Sequence, residues 1–312
     1  MKMMKLFKMT LACLLVVLSA KVEAQQEPLY TQYMFNAMSV NPAYTGTQDA
    51  LEAVFLSRMQ WTGFDGAPRT YSFAAHTPFT QHDMGIGVAL VADKVGPVNN
   101  FYFNVNYAYR VNLTDDLKLS MGIKGGFYNY HVGLDNLLLD ANSIDPSFQG
   151  QVERKFQPNL GAGLYIYDDR LYAGISVPKL FQSEINPEEA QEDALAVLKR
   201  HYYIMAGYLF TINDDFKLRP SFINKFVEGA PPSTDITAQM VYQDMYWLGM
   251  TYRLGDALAF MANVNVSEEL MIGYSYDFSV SNLGNYNSGS HEIMLSYRYG
   301  GLIKSKRTRR LR

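Results

Sequence analysis

Cysteine is all but missing from this chain of 312 residues, and the single one, Cys13, lies in the first apolar stretch. With that stretch removed no thiol remains, which excludes disulfide staples, thiolate nucleophiles and cysteine metal ligands. Charge is sparse too, at 18% of residues. Beyond the N-terminus no long hydrophobic run exists, so no segment is predicted to cross a bilayer as a helix. The five histidines (His76, His82, His131, His201, His291) show no ligand spacing. No zinc-protease, nucleophile-elbow, phosphate-loop or calcium-loop motif is present. The expectation is no catalytic residue, no metal and no cofactor.

The N-terminus places Lys2, Lys5 and Lys8 before the apolar run from Met9 to Ala20, and Val22-Glu23-Ala24 supplies small residues for cleavage. This is the pattern of a secretory signal peptide over 1–24, with Gln25 as the mature start. Losing it removes four basic and one acidic residue and moves the formal charge from −3 to −6. The tail at 301–312 carries six basic residues, which leaves the remaining body near −12. So acidic a body argues against nucleic acid as a partner. The tail is either a solvated end or a dock for acidic headgroups or a periplasmic partner.

Tyr (23) and Phe (18) are abundant instead, and their spacing is informative. Phe101, Phe103, Val105, Tyr107, Tyr109 and Val111 take every second position, with Tyr102, Asn104, Asn106, Ala108 and Arg110 between them. After a break at 112–116 the alternation restarts with Leu117, Leu119, Met121 and Ile123. A period of two means strands with one apolar and one polar face. These runs reach ten residues or more, beyond the usual five or six of soluble domains and close to what a tilted strand needs to cross a bilayer.

Fourteen such strands are predicted between residues 50 and 300. Short polar links (Asn112 to Asp116, Asp168-Asp169, Asn213 to Asp215) alternate with longer ones (Thr62 to Pro68, His131 to Gln157, Pro178 to Arg200). Short periplasmic turns opposite longer outer loops mark a closed antiparallel outer-membrane barrel. The expected fold is therefore all-β, a transmembrane barrel of about fourteen strands in contact with outer-membrane lipid. Within the loop 178–200, Asn186-Pro187-Glu188-Glu189 predicts a short helix. Gly85/Gly87 and Gly161/Gly163 read as small wall residues and not as a nucleotide motif. Ser72 and His76 share the lumen face, where a lipase would not meet lipid.

The leader 25–49 is rich in large apolar groups for a linker. It is expected to pack, either inside the barrel or across its periplasmic mouth. Barrels of 16–18 strands leave a channel, so fourteen make a conducting lumen the rival reading unless the leader plugs it. Inward Arg58, Arg110, Lys118, Lys124, Lys217, Arg219 and Lys225 line a passage or pair with Glu52, Asp235, Asp277 and Glu292.

Pro28-Leu29-Tyr30-Thr31-Gln32-Tyr33-Met34-Phe35-Asn36 and Asn41-Pro42-Ala43-Tyr44-Thr45-Gly46 resemble the N-terminal hallmark of the PorP/SprF family. The segments 58–68, 93–97 and 291–297 resemble it as well. The resemblance implies an outer-membrane component of the type IX secretion system of Bacteroidota, without catalytic residues. It further implies secretion or surface attachment of cargo with C-terminal sorting domains, gliding adhesins among them. Periplasmic ring and peptidoglycan-linked components are the implied partners. Candidate partner or plug residues are Tyr30, Gln32, Tyr33, Phe35, Asn36, Asn41, Pro42 and Tyr44 in the leader. Trp61, Phe64 and Pro68 in the first outer loop complete the set. The alternative is a passive diffusion channel.

Overall fold

The alternation in the sequence becomes an inside-out sheet. In the strand Val98–Asn112, Phe101, Val105, Tyr107 and Tyr109 are exposed while Tyr102, Asn104, Asn106, Ala108 and Arg110 are buried. The apolar face points outward and the polar face inward, the reverse of a soluble sheet. Only hydrocarbon makes such an exterior stable, because closed pairing leaves no backbone group bare in lipid.

The computed structural model describes residues 27–79, 82–133, 152–185 and 196–300. The expected signal peptide, the basic tail and the helix expected from Asn186 lie outside the described residues. The strands are β1 (Leu51–Met59), β2 (Arg69–Phe79), β3 (Met84–Val95), β4 (Val98–Asn112), β5 (Lys118–Val132), β6 (Val152–Tyr167) and β7 (Leu171–Val177). They continue as β8 (His201–Tyr208, resumed at Phe210–Thr211), β9 (Phe216–Val227), β10 (Ala230–Tyr242) and β11 (Tyr246–Arg253). The last three are β12 (Ala257–Asn265), β13 (Leu270–Ser279) and β14 (Ser290–Tyr299). Each pairs antiparallel with its sequence neighbours, and β1 closes the barrel on β14 with Leu51 opposite Tyr299. A separate small hairpin joins Ser183–Ile185 to Ala196–Leu198.

Two boundaries differ from the sequence reading. The strand β6 begins at Val152 and not near 158, and β10 begins at Ala230 and not at 234. Proline has no N–H for a ladder, yet the strands run through Pro158, Pro231 and Pro232. The sheet accommodates the last two opposite a register shift between Lys225 and Val227. The links at 96–97 and 228–229 are tight turns, with Gly96 and Gly229 at φ of 56° and 82°. The longer links 60–68 and 280–289 share their end of the barrel with the links after β5 and β7.

That end is the outer one, because the short turns and both barrel termini lie at the other. Inside the wall runs the leader. It makes a 3-10 turn at Tyr33–Phe35, one α-turn at Ala37–Val40 and a second 3-10 turn at Pro42–Tyr44. Asn41 caps the last of these by accepting the Ala43 N–H at 3.0 Å, with Pro42 at the first helical position.

Candidate functional site in the barrel lumen

Near the outer end the leader backbone meets a buried ionic cluster. The N–H groups of Thr31 and Gln32 donate to Glu292 at 3.0 and 2.8 Å. The Thr31 hydroxyl donates to Asp277 at 2.8 Å and accepts from Arg58 at 3.0 Å. Arg58 itself binds Asp277 at 2.8 Å and Glu292 at 3.0 Å. Arg253 extends the cluster, 2.8 Å from Asp235 and 3.5 Å from Asp277. These inward charges pair with one another and with the leader. Taking one partner from a buried pair costs about 3–5 kcal/mol, so the cluster holds the leader in one register.

Further along, aromatic contacts dominate. Phe35 meets Trp247 edge-on at 5.7 Å, and the Arg219 guanidinium lies 4.7 Å from Trp247 and 5.1 Å from Phe35. Tyr44 meets His76 at 5.3 Å and Tyr165 at 5.6 Å, both near-perpendicular. Each edge-to-face pair contributes about 0.5–1.5 kcal/mol beyond burial. The Tyr33 hydroxyl donates to Ser221 at 3.3 Å and the Asn36 amide to Ser72 at 3.3 Å.

The periplasmic half is shaped by wall residues without side chains. Gly122 lies against Ala43, and Gly163 against the Asn41 amide, so closely that a Cβ at either would collide. Asn41 in turn donates to the Leu164 carbonyl at 3.0 Å. Gly46, at φ of 70°, turns the leader toward β1; its N–H donates to His76 Nδ1 at 3.2 Å and its carbonyl accepts from Arg110. Gln48 Oε1 accepts from Arg298 at 3.2 Å.

At the other extreme the leader begins beside the outer mouth. Glu27 lies 3.2 Å from Lys179 and accepts from the Tyr203 hydroxyl at 3.1 Å, while its carbonyl accepts from Lys225 at 3.3 Å. Burial alone would raise this carboxyl. Lys179 foremost, then His201, Lys124 and Lys225, hold it well below the usual carboxylate range instead.

All eight leader candidates that the sequence singled out come together in the lumen: Tyr30, Gln32, Tyr33, Phe35, Asn36, Asn41, Pro42 and Tyr44 are buried. The remaining three are elsewhere. Phe64 is exposed in the link 60–68, and Trp61 and Pro68 flank it half-buried. That link is stitched to the last outer link, Thr62 N–H to Gly289 at 2.8 Å and Ser288 N–H to Thr62 at 2.7 Å. Ser72 and His76 are taken up by separate leader contacts, with His76 Nε2 3.3 Å from Glu52. Sequence reasoning missed Glu27, Lys179 and Trp247; the pairing of Lys179, a loop residue, with Glu27 has no periodic signal.

Compared with known families, residues 22–297 match the one described as type IX secretion system membrane protein PorP/SprF. The chain belongs to that family. Its match takes in the leader as well as the barrel, so the PorP/SprF pattern covers both the wall and the segment inside it. A PorP/SprF barrel with this exterior is an outer-membrane protein. No curated protein sequence matches the chain. Among solved structures, the toluene transporter TbuX of Ralstonia pickettii is similar at 10% identity and TM-score 0.49, covering 84% of this chain and 92% of its own. The CymD monoaromatic hydrocarbon channel is similar at 12% identity and TM-score 0.48, covering 85% and 91%. Omp33 of Acinetobacter baumannii is similar at 7% identity and TM-score 0.47, covering 82% and 100%. Identities and scores this low carry no functional inference.

Proposed function

We propose that this PorP/SprF-family protein is a non-enzymatic component of the type IX secretion system that acts by contact with other proteins. Its outer surface takes part in secretion or attachment of cargo bearing a C-terminal sorting domain. Its periplasmic end meets the ring and peptidoglycan-linked parts of the machine. The observation that carries the reading is the leader inside the barrel, hydrogen-bonded to β1, β2, β6, β8, β13 and β14. A lumen occupied by the chain's own segment serves a binding role better than solute diffusion. The leader then acts as a plug that stiffens the barrel.

The test is mass spectrometry of proteins that co-purify with a tagged copy gently extracted from outer membranes. Ring components, or a large secreted protein with a C-terminal sorting domain, are expected. A barrel that comes out alone and conducts ions would replace this reading with a diffusion channel.

A further inference from the structure

Between the leader and the wall formed by β4, β5 and β6 lies a cavity of about 60 Å³. Lys124 on β5 and Lys179 beyond β7 both line it, and both are buried. Glu27 is the carboxylate that lines the same cavity, and it is already engaged by Lys179 at 3.2 Å and by the Tyr203 hydroxyl at 3.1 Å. Among the described residues no carboxylate lies within ion-pair distance of Lys124. Opposite Lys124 in the β4–β5 register stands Asn106, only 1% exposed, and neither its amide nitrogen nor its amide oxygen has a hydrogen-bond partner. A buried ammonium with no carboxylate in contact, Glu27 acting on it only at longer range, and a buried amide without a partner are both costly. Side by side on one cavity, the ammonium and the amide N–H are both donors that an acceptor between them would serve.

We propose that this cavity is a binding site for a small oxyanion, of the carboxylate or phosphate class. Lys124 supplies the charge and Asn106 an amide N–H, while Lys179 adds a second positive field from above. Lys179 itself stays fixed by Glu27 and by the rings of Tyr102 and Tyr128, 4.8 and 5.1 Å away. Asn159 donates to Asn104 at 2.8 Å and completes a polar floor. The volume suits the ligand: one water needs roughly 10–15 Å³, so an anion of about four or five heavy atoms fits. The site stands independently of any secretion role, since it rests on the cavity and its charges alone.

The experiment is calorimetric titration of the full mature protein in detergent with inorganic phosphate and, separately, acetate, at ionic strength matched with sodium chloride. Saturable binding of at least one probe is expected, weakened tenfold or more in K124Q and in N106A and unchanged in K217Q, a lysine at the periplasmic end. Phosphate binding alone assigns the tetrahedral anion, and acetate binding alone assigns the carboxylate. Heat-modifiable migration on gels confirms that each variant is a folded barrel; if K124Q fails this check, N106A carries the comparison. No binding of either probe by the native protein overturns the proposal, as does binding of equal strength in the folded variants.

Discussion

Arg58 and Thr31 are joined by a 3.0 Å hydrogen bond from the guanidinium to the hydroxyl, and the same guanidinium binds Asp277 at 2.8 Å. One wall residue thus ties the leader to a strand more than two hundred positions away. Replacing Arg58 by Met removes the cation and leaves Asp277 and Glu292 buried with like charge. A loss of about 3–5 kcal/mol in unfolding free energy is expected. Urea titration of the barrel in lipid vesicles measures it, and a change below about 1 kcal/mol contradicts the anchoring role.

The lipid-facing wall makes the opposite demand. Ile123 is 61% exposed near the middle of β5. Ile123→Arg puts a charge into hydrocarbon at a cost of about 2–4 kcal/mol, read by the same titration. A neutral effect would mean that this face does not meet the bilayer core.

Gly122 offers a way to disturb the leader without touching the exterior. In Gly122→Val the new side chain meets Ala43 and Pro42, so the leader is expected to leave its seat and become open to protease. Gly125→Val serves as control, since a Cβ there meets only Leu160, at 3.5 Å. Equal protease resistance in the two variants would show that leader and wall are not in close contact.

How much of this was legible beforehand follows from the kinds of signal involved. The period of two around Tyr107 and Ile123 revealed the strands and their faces, because a strand records its surroundings residue by residue. The crowding of Tyr33, Phe35 and Tyr44 showed that the leader packs. Its direction was hidden: nothing local says that Glu27 sits near the outer mouth while Gly46 sits at the periplasmic end. Those placements depend on Lys179 and Arg110, partners brought near only by barrel closure. Gly163 read as a small wall residue, and what it and Gly122 make room for emerged only with the leader in place.

Glu27 makes the leader's outer contact pH-dependent, and the sign follows from the direction of its shift. Its carboxyl is held below the ordinary range when docked, by Lys179 foremost against the cost of burial. The stabilisation is therefore full above the ordinary carboxylate range and is lost as pH falls toward the docked value. Hydrogen exchange at residues 27–32, corrected for intrinsic rate, is expected to quicken on acidification in the native protein. The same dependence should vanish in Glu27→Gln; if it persists there, another group controls the contact.

Tyr33 and Phe35 together test the link from packing to function. Replacing both by Ala removes the Ser221 hydrogen bond and the Trp247 and Arg219 contacts. Surface display of cargo is expected to be lost while the heat-modifiable barrel persists. Normal display in that variant would sink the proposed role of the leader.

The most direct test of the account is ion conductance in planar bilayers, comparing the mature protein with a form lacking residues 25–47. A silent intact protein and stable open channels from the shortened one are expected from the proposed plug role of the leader. Equal conductance from both forms would contradict that claim.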